Sequence, residues 1–391
     1  MQVFFLVLLF LSTVINYVDR QALSVVLPVL RKDLGLSSSD YGNITSMFMV
    51  AYTIGQVAIG NWIDKVGTRI GFAVCILAWS LAAAGHALVE TGMQLLALRF
   101  LLGLGESGNW PAGVKAVAET LPQERRAFGM AIFDGGSAVG AIIAPPLVVA
   151  LTAQFGWRAA FAATGLAGLV WMAIWWFSYK PLLPAPTKMK RDWFGLLRFR
   201  ALWGLMATRF LATPVWWFYV FWLPDYLSKG RGFSLAEIGL FGWIPYLTVD
   251  VGKMIGGAAS DQMLRWGKTP TFARKSVMAV GALAMMGGLF VAGAPTAAVA
   301  IVWVSVATFG FGLWSANILA LHADCFSSGN LATAIGWTGT AASLSGAAFT
   351  WVVGRMVDQM GYAPAFTAAG SLAIFALGAL IFLVGKVERQ A

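Results

Sequence analysis

Apolar residues along this chain gather into long runs separated by short polar stretches. The runs lie at Val3–Leu30, Tyr41–Ile63, Ile70–Val89, Met93–Ala118, Gly129–Ala153, Ala159–Tyr179, Leu202–Leu227, Leu235–Met263, Val277–Gly293, Ala297–His322, Ala332–Val357 and Ala365–Val384. Most are about 20 residues or longer, the length at which a helix rising about 1.5 Å per residue crosses a hydrocarbon core of about 30 Å. Backbone groups in lipid must pair within their own element, so the pattern predicts an all-α integral membrane protein of twelve transmembrane helices. The longest connection, residues 180–200, carries Pro181, Pro184 and Pro186 followed by a basic run. It separates an expected N-terminal six-helix half at 1–179 from a C-terminal six-helix half at 201–391.

Composition sharpens the picture. The 391 residues are 59% hydrophobic and 11% charged, where soluble chains carry about 25% charge. Alternating short loops put both termini on one side, and the 27 Lys and Arg say which. Sixteen fall in the loops and tail on the side of the termini, six in the opposite loops or, for Arg355, at a span end bordering them, and five deeper within the spans. Positively charged loops stay inside, so both termini are expected in the cytoplasm. The net charge of +10 then reflects topology and anionic lipid at the inner face. No basic region outside the membrane is left to bind nucleic acid. The first span lacks a basic leader and a small-residue cleavage pattern and is expected to be retained.

Several chemistries are excluded. Cys75 and Cys325 lie within or at the inner end of spans and imply no disulfide framework. His86 and His322 fall in different halves, so no metal site is expected. Gly103-Leu104-Gly105 is intramembrane and lacks the Lys-Ser/Thr end of a phosphate-cradling loop. No Ser-His-Asp arrangement suggests a hydrolase. The chain is expected to be no enzyme, to need no cofactor, to draw on an ion gradient or the substrate's own gradient, and to work as a monomer with the bilayer as its large partner.

The polar residues inside the spans are the candidates for function. Asn16-Tyr17-Val18-Asp19-Arg20 sits within the first run, where each charge costs on the order of 2.5–3.5 kcal/mol to insert. Neighbours on a helix diverge by about 100°, so Asp19 and Arg20 need separate partners. Tyr52, Gln56, Arg99 and Glu106 supply them, the last two seven residues apart and near one helix face. Glu106 alternatively forms a strut with Arg99 or Lys115, and Asp19 a pair with a basic residue such as Arg20. Lys115 is expected to pair with Asp134, and Asp250 with Lys253.

The loop after the second span reads Gly60-Asn61-Trp62-Ile63-Asp64-Lys65-Val66-Gly67-Thr68-Arg69. It resembles the signature loop of the major facilitator superfamily, with Gly60, Asp64, Lys65, Gly67 and Arg69 as its gating positions. Tyr17-Val18-Asp19-Arg20, the Arg99, Glu106 and Pro111 set, Gly140 to Leu147, Arg209 to Trp216 and Gly361-Tyr362-Ala363-Pro364 resemble the anion:cation symporter family within it, and there the bacterial hexuronate transporters. This resemblance implies two pseudo-symmetric halves around a midplane site, and import of a sugar-acid anion such as glucuronate or galacturonate together with protons. An aldonate or aldarate importer is the alternative; a proton-antiporting exporter or a sugar-acid sensor is more remote.

The resemblance also distributes roles. Asp19 and Glu106 match the proton-coupling carboxylates, whose protonation responds to the partners each conformation supplies. Arg20 and Arg99 match basic positions suited to a substrate carboxylate, because a guanidinium meets a carboxylate bidentately. Tyr17 and Tyr52 match pocket tyrosines that donate to and accept from sugar hydroxyls. Ser137, within Gly136 to Gly140, matches the hexuronate-like pattern. Trp217 is the expected aromatic platform for a sugar face. Ser315 and Asn317 offer neutral hydrogen-bonding groups, and Arg209 matches a gate or second-site position.

Overall fold

The computed structural model describes residues 2–122, 125–180, 195–326 and 328–385, so the expected 180–200 loop lies largely outside the described residues. The helices are α1 (Gln2–Leu34), α2 (Ser38–Val66), α3 (Thr68–Gly85), α4 (Gly92–Glu106), α5 (Asn109–Thr120), α6 (Arg126–Phe155) and α7 (Trp157–Ser178). They continue as α8 (Arg200–Asp225), α9 (Leu235–Phe241), α10 (Ile244–Arg265), α11 (Pro270–Met285), α12 (Ala297–Cys325), α13 (Ser328–Met360) and α14 (Tyr362–Phe382). No β-strand occurs among the described residues. Among the described residues, six helices are long and apolar enough to cross a membrane by length and composition alone. Twelve spans result when α4 with α5 and α9 with α10 are each counted as one.

Those two broken spans depart from the continuous runs expected, and proline explains both. Pro111 has no N–H for the Ser107 carbonyl, and its ring crowds that carbonyl, so α4 stops at Glu106 and α5 starts at Asn109. Pro245 does the same to the Phe241 carbonyl, separating α9 from α10. Pro214 and Pro224, both residues that disfavour a helix interior, lie inside an unbroken α8.

Helix starts follow local chemistry. Ser37 and Asp40 form a capping box at α2, with Asp40 N donating to Ser37 Oγ at 3.0 Å. Thr91 with Gln94 and Ser234 with Glu237 repeat the device at α4 and α9. Gly67, at φ +88°, ends α2 and begins α3 in one residue, a turn that a side chain would strain.

The chain forms two compact units, one of Met1–Lys188 with Phe221–Trp243, the other of Met189–Val220 with Ile244–Ala391. In the first, α1 packs on α6 and α7, α2 on α4, and α3 on α4 and α7. The end of α8 joins this unit: Tyr41 Oη donates to the Phe221 carbonyl at 2.6 Å, and Arg31 pairs with Asp225 at 2.9 Å. In the second, α12 packs on α10 and α11, and α14 on α11 and α13. The α10–α12 contact is backbone against backbone. A Cβ on Gly312 would run into the Val249 carbonyl, and one on Gly252 into the Phe309 carbonyl. Gly312→Val should therefore destabilise the protein by about 1–3 kcal/mol through overpacking, seen as a lowered midpoint for thermal unfolding in detergent; an unchanged midpoint would show that α10 and α12 can separate at no cost.

Candidate functional site

The first unit brings four ionisable side chains of α1 and α4 into its interior. Arg20 and Glu106 are 2% and 0% exposed, and Arg20 reaches Glu106 Oε2 through Nε at 3.0 Å and Nη2 at 2.9 Å. Nη2 also donates to Asn16 Oδ1 at 3.3 Å, one turn back on the same helix face. Glu106 is the last residue of α4, where the helix dipole disfavours an acid, so the guanidinium offsets both that dipole and the desolvation. Three rings enclose the guanidinium: its carbon lies 5.0 Å from the Tyr17 ring, 5.4 Å from Phe48 and 4.9 Å from Tyr52.

Asp19 and Arg99 belong to different surroundings. Asp19 is buried, and neither oxygen has a hydrogen bond of normal geometry. The polar groups acting on it are Thr164, Glu106 and Arg99. Arg99 donates once, from Nη1 to the Arg20 carbonyl at 3.3 Å, while Nε and Nη2 are buried without a partner. Its guanidinium lies 6.0 Å from the Phe161 ring, on which buried His86 also stacks at 5.0 Å. His86 Nδ1 faces the Ala82 carbonyl at 2.6 Å. A carbonyl only accepts, so Nδ1 carries the proton.

The α1 pair thus diverges as expected, but two alternative pairings fail. Glu106 takes Arg20, rather than Arg99 or Lys115, and Asp19 makes no pair with Arg20. Lys115 also leaves Asp134, which is exposed on α6. Lys115 binds Asp64 at 3.2 Å and the Ile63 carbonyl at 3.1 Å. Lys115, on α5, therefore reaches the end of α2 and not the neighbouring α6.

The signature loop is tied down around that contact. Arg69 donates to the Trp176 carbonyl at 2.7 and 3.1 Å and lies 5.1 Å from the Trp176 ring. Gly60 packs toward Pro111, with 3.7 Å left for a Cβ, and Lys65 is exposed. Buried Glu119, which the sequence reading passed over, accepts from Thr68 at 2.8 Å and Tyr179 at 2.7 Å. Phe48 and Thr164 left no signal in the sequence, and His86 entered there only as a possible metal ligand; Asn16 belongs to the pentad already singled out.

The remaining candidates are placed as follows. Ser137 is buried on α6 and Trp217 half-buried on α8. Ser315 Oγ donates to the Gly312 carbonyl at 3.2 Å. Asn317 Nδ2 binds the Gly256 carbonyl at 3.0 Å and Leu313 at 2.9 Å, holding α12 to α10, while its Oδ1 is buried without a partner. Lys253 and Asp250 pair at 2.9 Å along α10, as spacing suggested. Trp217, Ser315 and Asn317 lie in the second unit and Ser137 in the first.

The family profile of the Major Facilitator Superfamily matches residues 9–350. The chain belongs to that superfamily. It is a multi-pass membrane transporter, not an enzyme. It is 32% identical to a hexuronate transporter of Escherichia coli (strain K12), over 97% of this chain and 92% of that protein. It is 33% identical to a galacturonate transporter of Dickeya chrysanthemi, over 72% of this chain and 89% of that protein. The crystal structure of a D-xylose-proton symporter superposes with a TM-score of 0.82, covering 100% of both chains at 15% identity, which shows the major facilitator fold.

Removing one member of the Arg20–Glu106 pair should destabilise this transporter more than removing both. Glu106→Leu is expected to cost about 3–5 kcal/mol by stranding a buried cation, and Arg20→Met with Glu106→Leu to recover much of that loss. Thermal unfolding of the three proteins in one detergent at neutral pH decides; a double variant at or below the single one would mean that the pair itself holds α1 to α4.

Proposed function

We propose that this chain is a proton-coupled symporter of a bacterial inner membrane that imports a sugar-acid anion, a hexuronate such as glucuronate or galacturonate. An aldonate or aldarate is the alternative cargo. The observation that carries the reading is the buried guanidinium of Arg20, held by the Glu106 carboxylate inside a cage of Tyr17, Phe48 and Tyr52. The names of the hexuronate and galacturonate relatives support the same cargo class.

Chemistry connects that geometry to coupling. A guanidinium that binds one carboxylate bidentately can bind another in the same way, so the cargo competes with Glu106 for Arg20. Protonating Glu106 removes its charge and releases Arg20 to the incoming anion. Asp19, with unsatisfied oxygens and Arg99 as the cation acting on it, is the second proton acceptor. Two carboxylates and two arginines balance in the empty site, so a proton taken up with the anion offsets the anion's charge. A neutral site crosses a low-dielectric state at less cost than a charged one.

The hydroxyls of Tyr17 and Tyr52 are assigned to the sugar, with Ser137, Trp217, Ser315 and Asn317 as further contacts. The halves at 1–179 and 201–391 would rock about the site, with the Gly60 to Arg69 loop latching one state and both termini in the cytoplasm. Protons are the coupling ion, no resident cofactor is used, and a monomer suffices.

Proteoliposomes given an inward proton gradient should accumulate radiolabelled glucuronate and ignore a neutral hexose. Galactonate run in parallel separates a uronate from an aldonate carrier. Asp19→Asn should abolish accumulation while glucuronate exchange across the membrane persists. Absence of uptake for both acids would refute the importer reading, and full gradient-driven accumulation by Asp19→Asn would remove Asp19 from coupling.

A further inference from the structure

Arg99 carries more hydrogen-bonding capacity than the first unit uses. Buried on α4, it donates once, from Nη1 to the Arg20 carbonyl at 3.3 Å, while its Nε and Nη2 have no partner. Among the described residues no ion pair joins it to an acid. Buried N–H groups are normally satisfied, and leaving one unmet is costly. Two acids act on this guanidinium: Glu106, which Arg20 already holds, and Asp19, whose oxygens have no hydrogen bond of normal geometry.

His86 offers the complementary group. Its Nδ1 donates to the Ala82 carbonyl at 2.6 Å, so the neutral ring keeps a lone pair on Nε2, and that atom is buried without a partner. Arg99 acts on this ring, and both lie against Phe161 of α7, the imidazole at 5.0 Å and the guanidinium carbon at 6.0 Å. Other charged and titratable groups on the surrounding elements are turned elsewhere. Arg158 of α7 donates to the Val89 carbonyl and lies 4.2 Å from the Trp157 ring, and Glu90 is exposed. Cys75 and Arg69 lie about three turns or more back along α3.

The histidine side of this arrangement is fixed. A Cβ on Gly165 of α7 would run into the Ala84 nitrogen and the Ser80 carbonyl, and one on Gly85 would stand 3.1 Å from the Leu98 side chain, so the end of α3 is packed against both α7 and α4. The imidazole is held by its Nδ1 bond and the Phe161 ring; the guanidinium, on a stem of several rotatable bonds, is the part that can turn. We propose that His86 is a positioning residue for Arg99: when Asp19 takes its proton and stops attracting the guanidinium, Arg99 turns to His86 Nε2, and it returns when Asp19 gives the proton up. An unmet donor and an unmet acceptor then satisfy each other in the state where the acid beside Arg99 is neutral. The proposal rests on the proton-coupling role given to Asp19 above.

Ring 15N spectra test the contact without transport. The protein holds two histidines, so the full chain labelled at histidine in detergent gives two sets of ring signals, assigned with His86→Gln. In Asp19→Asn, a stand-in for the protonated acid, the His86 Nε2 signal is expected to move into the hydrogen-bonded range, and adding Arg99→Gln should return it. A signal that stays in place overturns the proposal, as does a movement that survives Arg99→Gln. In proteoliposomes, His86→Phe removes the acceptor and keeps a ring for Phe161, whereas His86→Gln keeps an acceptor. Loss of the contact disfavours the protonated state, so His86→Phe should shift the pH of half-maximal gradient-driven glucuronate uptake downward by about one pH unit, with His86→Gln near wild type. A lower rate with an unmoved pH profile would mark a packing defect and overturn the role. Wild-type uptake indifferent to the gradient would refute the coupling reading, and this role with it, even where the spectra show the contact.

Discussion

A charge placed in hydrocarbon must meet an opposite charge, and in the first unit that requirement governs where α1 and α4 can lie. Arg20 and Glu106 are almost wholly removed from solvent and contact each other at 2.9 Å, with Asn16 as a further acceptor. Neither could stay ionised if the helices parted, since the remaining ion would be left in a medium unable to solvate it. The pair is weak as a source of net stability, because desolvation consumes most of its Coulomb gain, but strong as a constraint on register. The break at Pro111 belongs to the same design: it ends α4 at Glu106, placing the carboxylate at the helix terminus that faces Arg20.

Much of this could be read along the chain. Twelve apolar runs, the divergence of Asp19 from Arg20, the cap at Ser37 and the i,i+3 pair of Asp250 with Lys253 all follow from periodicity and local chemistry. Pairing between helices was less legible. Lys115 pairs with Asp64 at the end of α2, a contact between helices that packing decides and that spacing along the chain does not show. The roles of His86 and Thr164 were invisible for a related reason. A lone histidine or threonine in an apolar run looks like ordinary core, and only the fold puts each beside Arg99 or Asp19.

Glycine supplies the closeness that the buried polar groups need. Gly103 has no room for a Cβ because the Phe48 carbonyl occupies its place, so α2 meets α4 backbone to backbone. That approach lets Phe48 and Tyr52 of α2 reach the guanidinium from α1. A larger residue at 103 would move the aromatic cage before it touched a charge. Small residues at helix contacts and aromatic residues around Arg20 are therefore one arrangement seen at two scales.

The two acids of the first unit differ in what surrounds them, and that difference suits them to different tasks. Glu106 is engaged with the cation that an anionic cargo would need, so its charge and cargo binding are mutually exclusive through competition for one guanidinium. Asp19 competes with nothing for Arg20, and its oxygens lack hydrogen bonds of normal geometry. Its charge is felt through the field at Arg99 and Glu106. A proton on Glu106 therefore changes which groups touch, whereas a proton on Asp19 acts through the electrostatic balance of the cluster. Proton-coupled import as proposed would need both kinds of change, one to admit the anion and one to let the filled bundle move, and Asp19 and Arg20 can serve one each because adjacent side chains on α1 point about 100° apart.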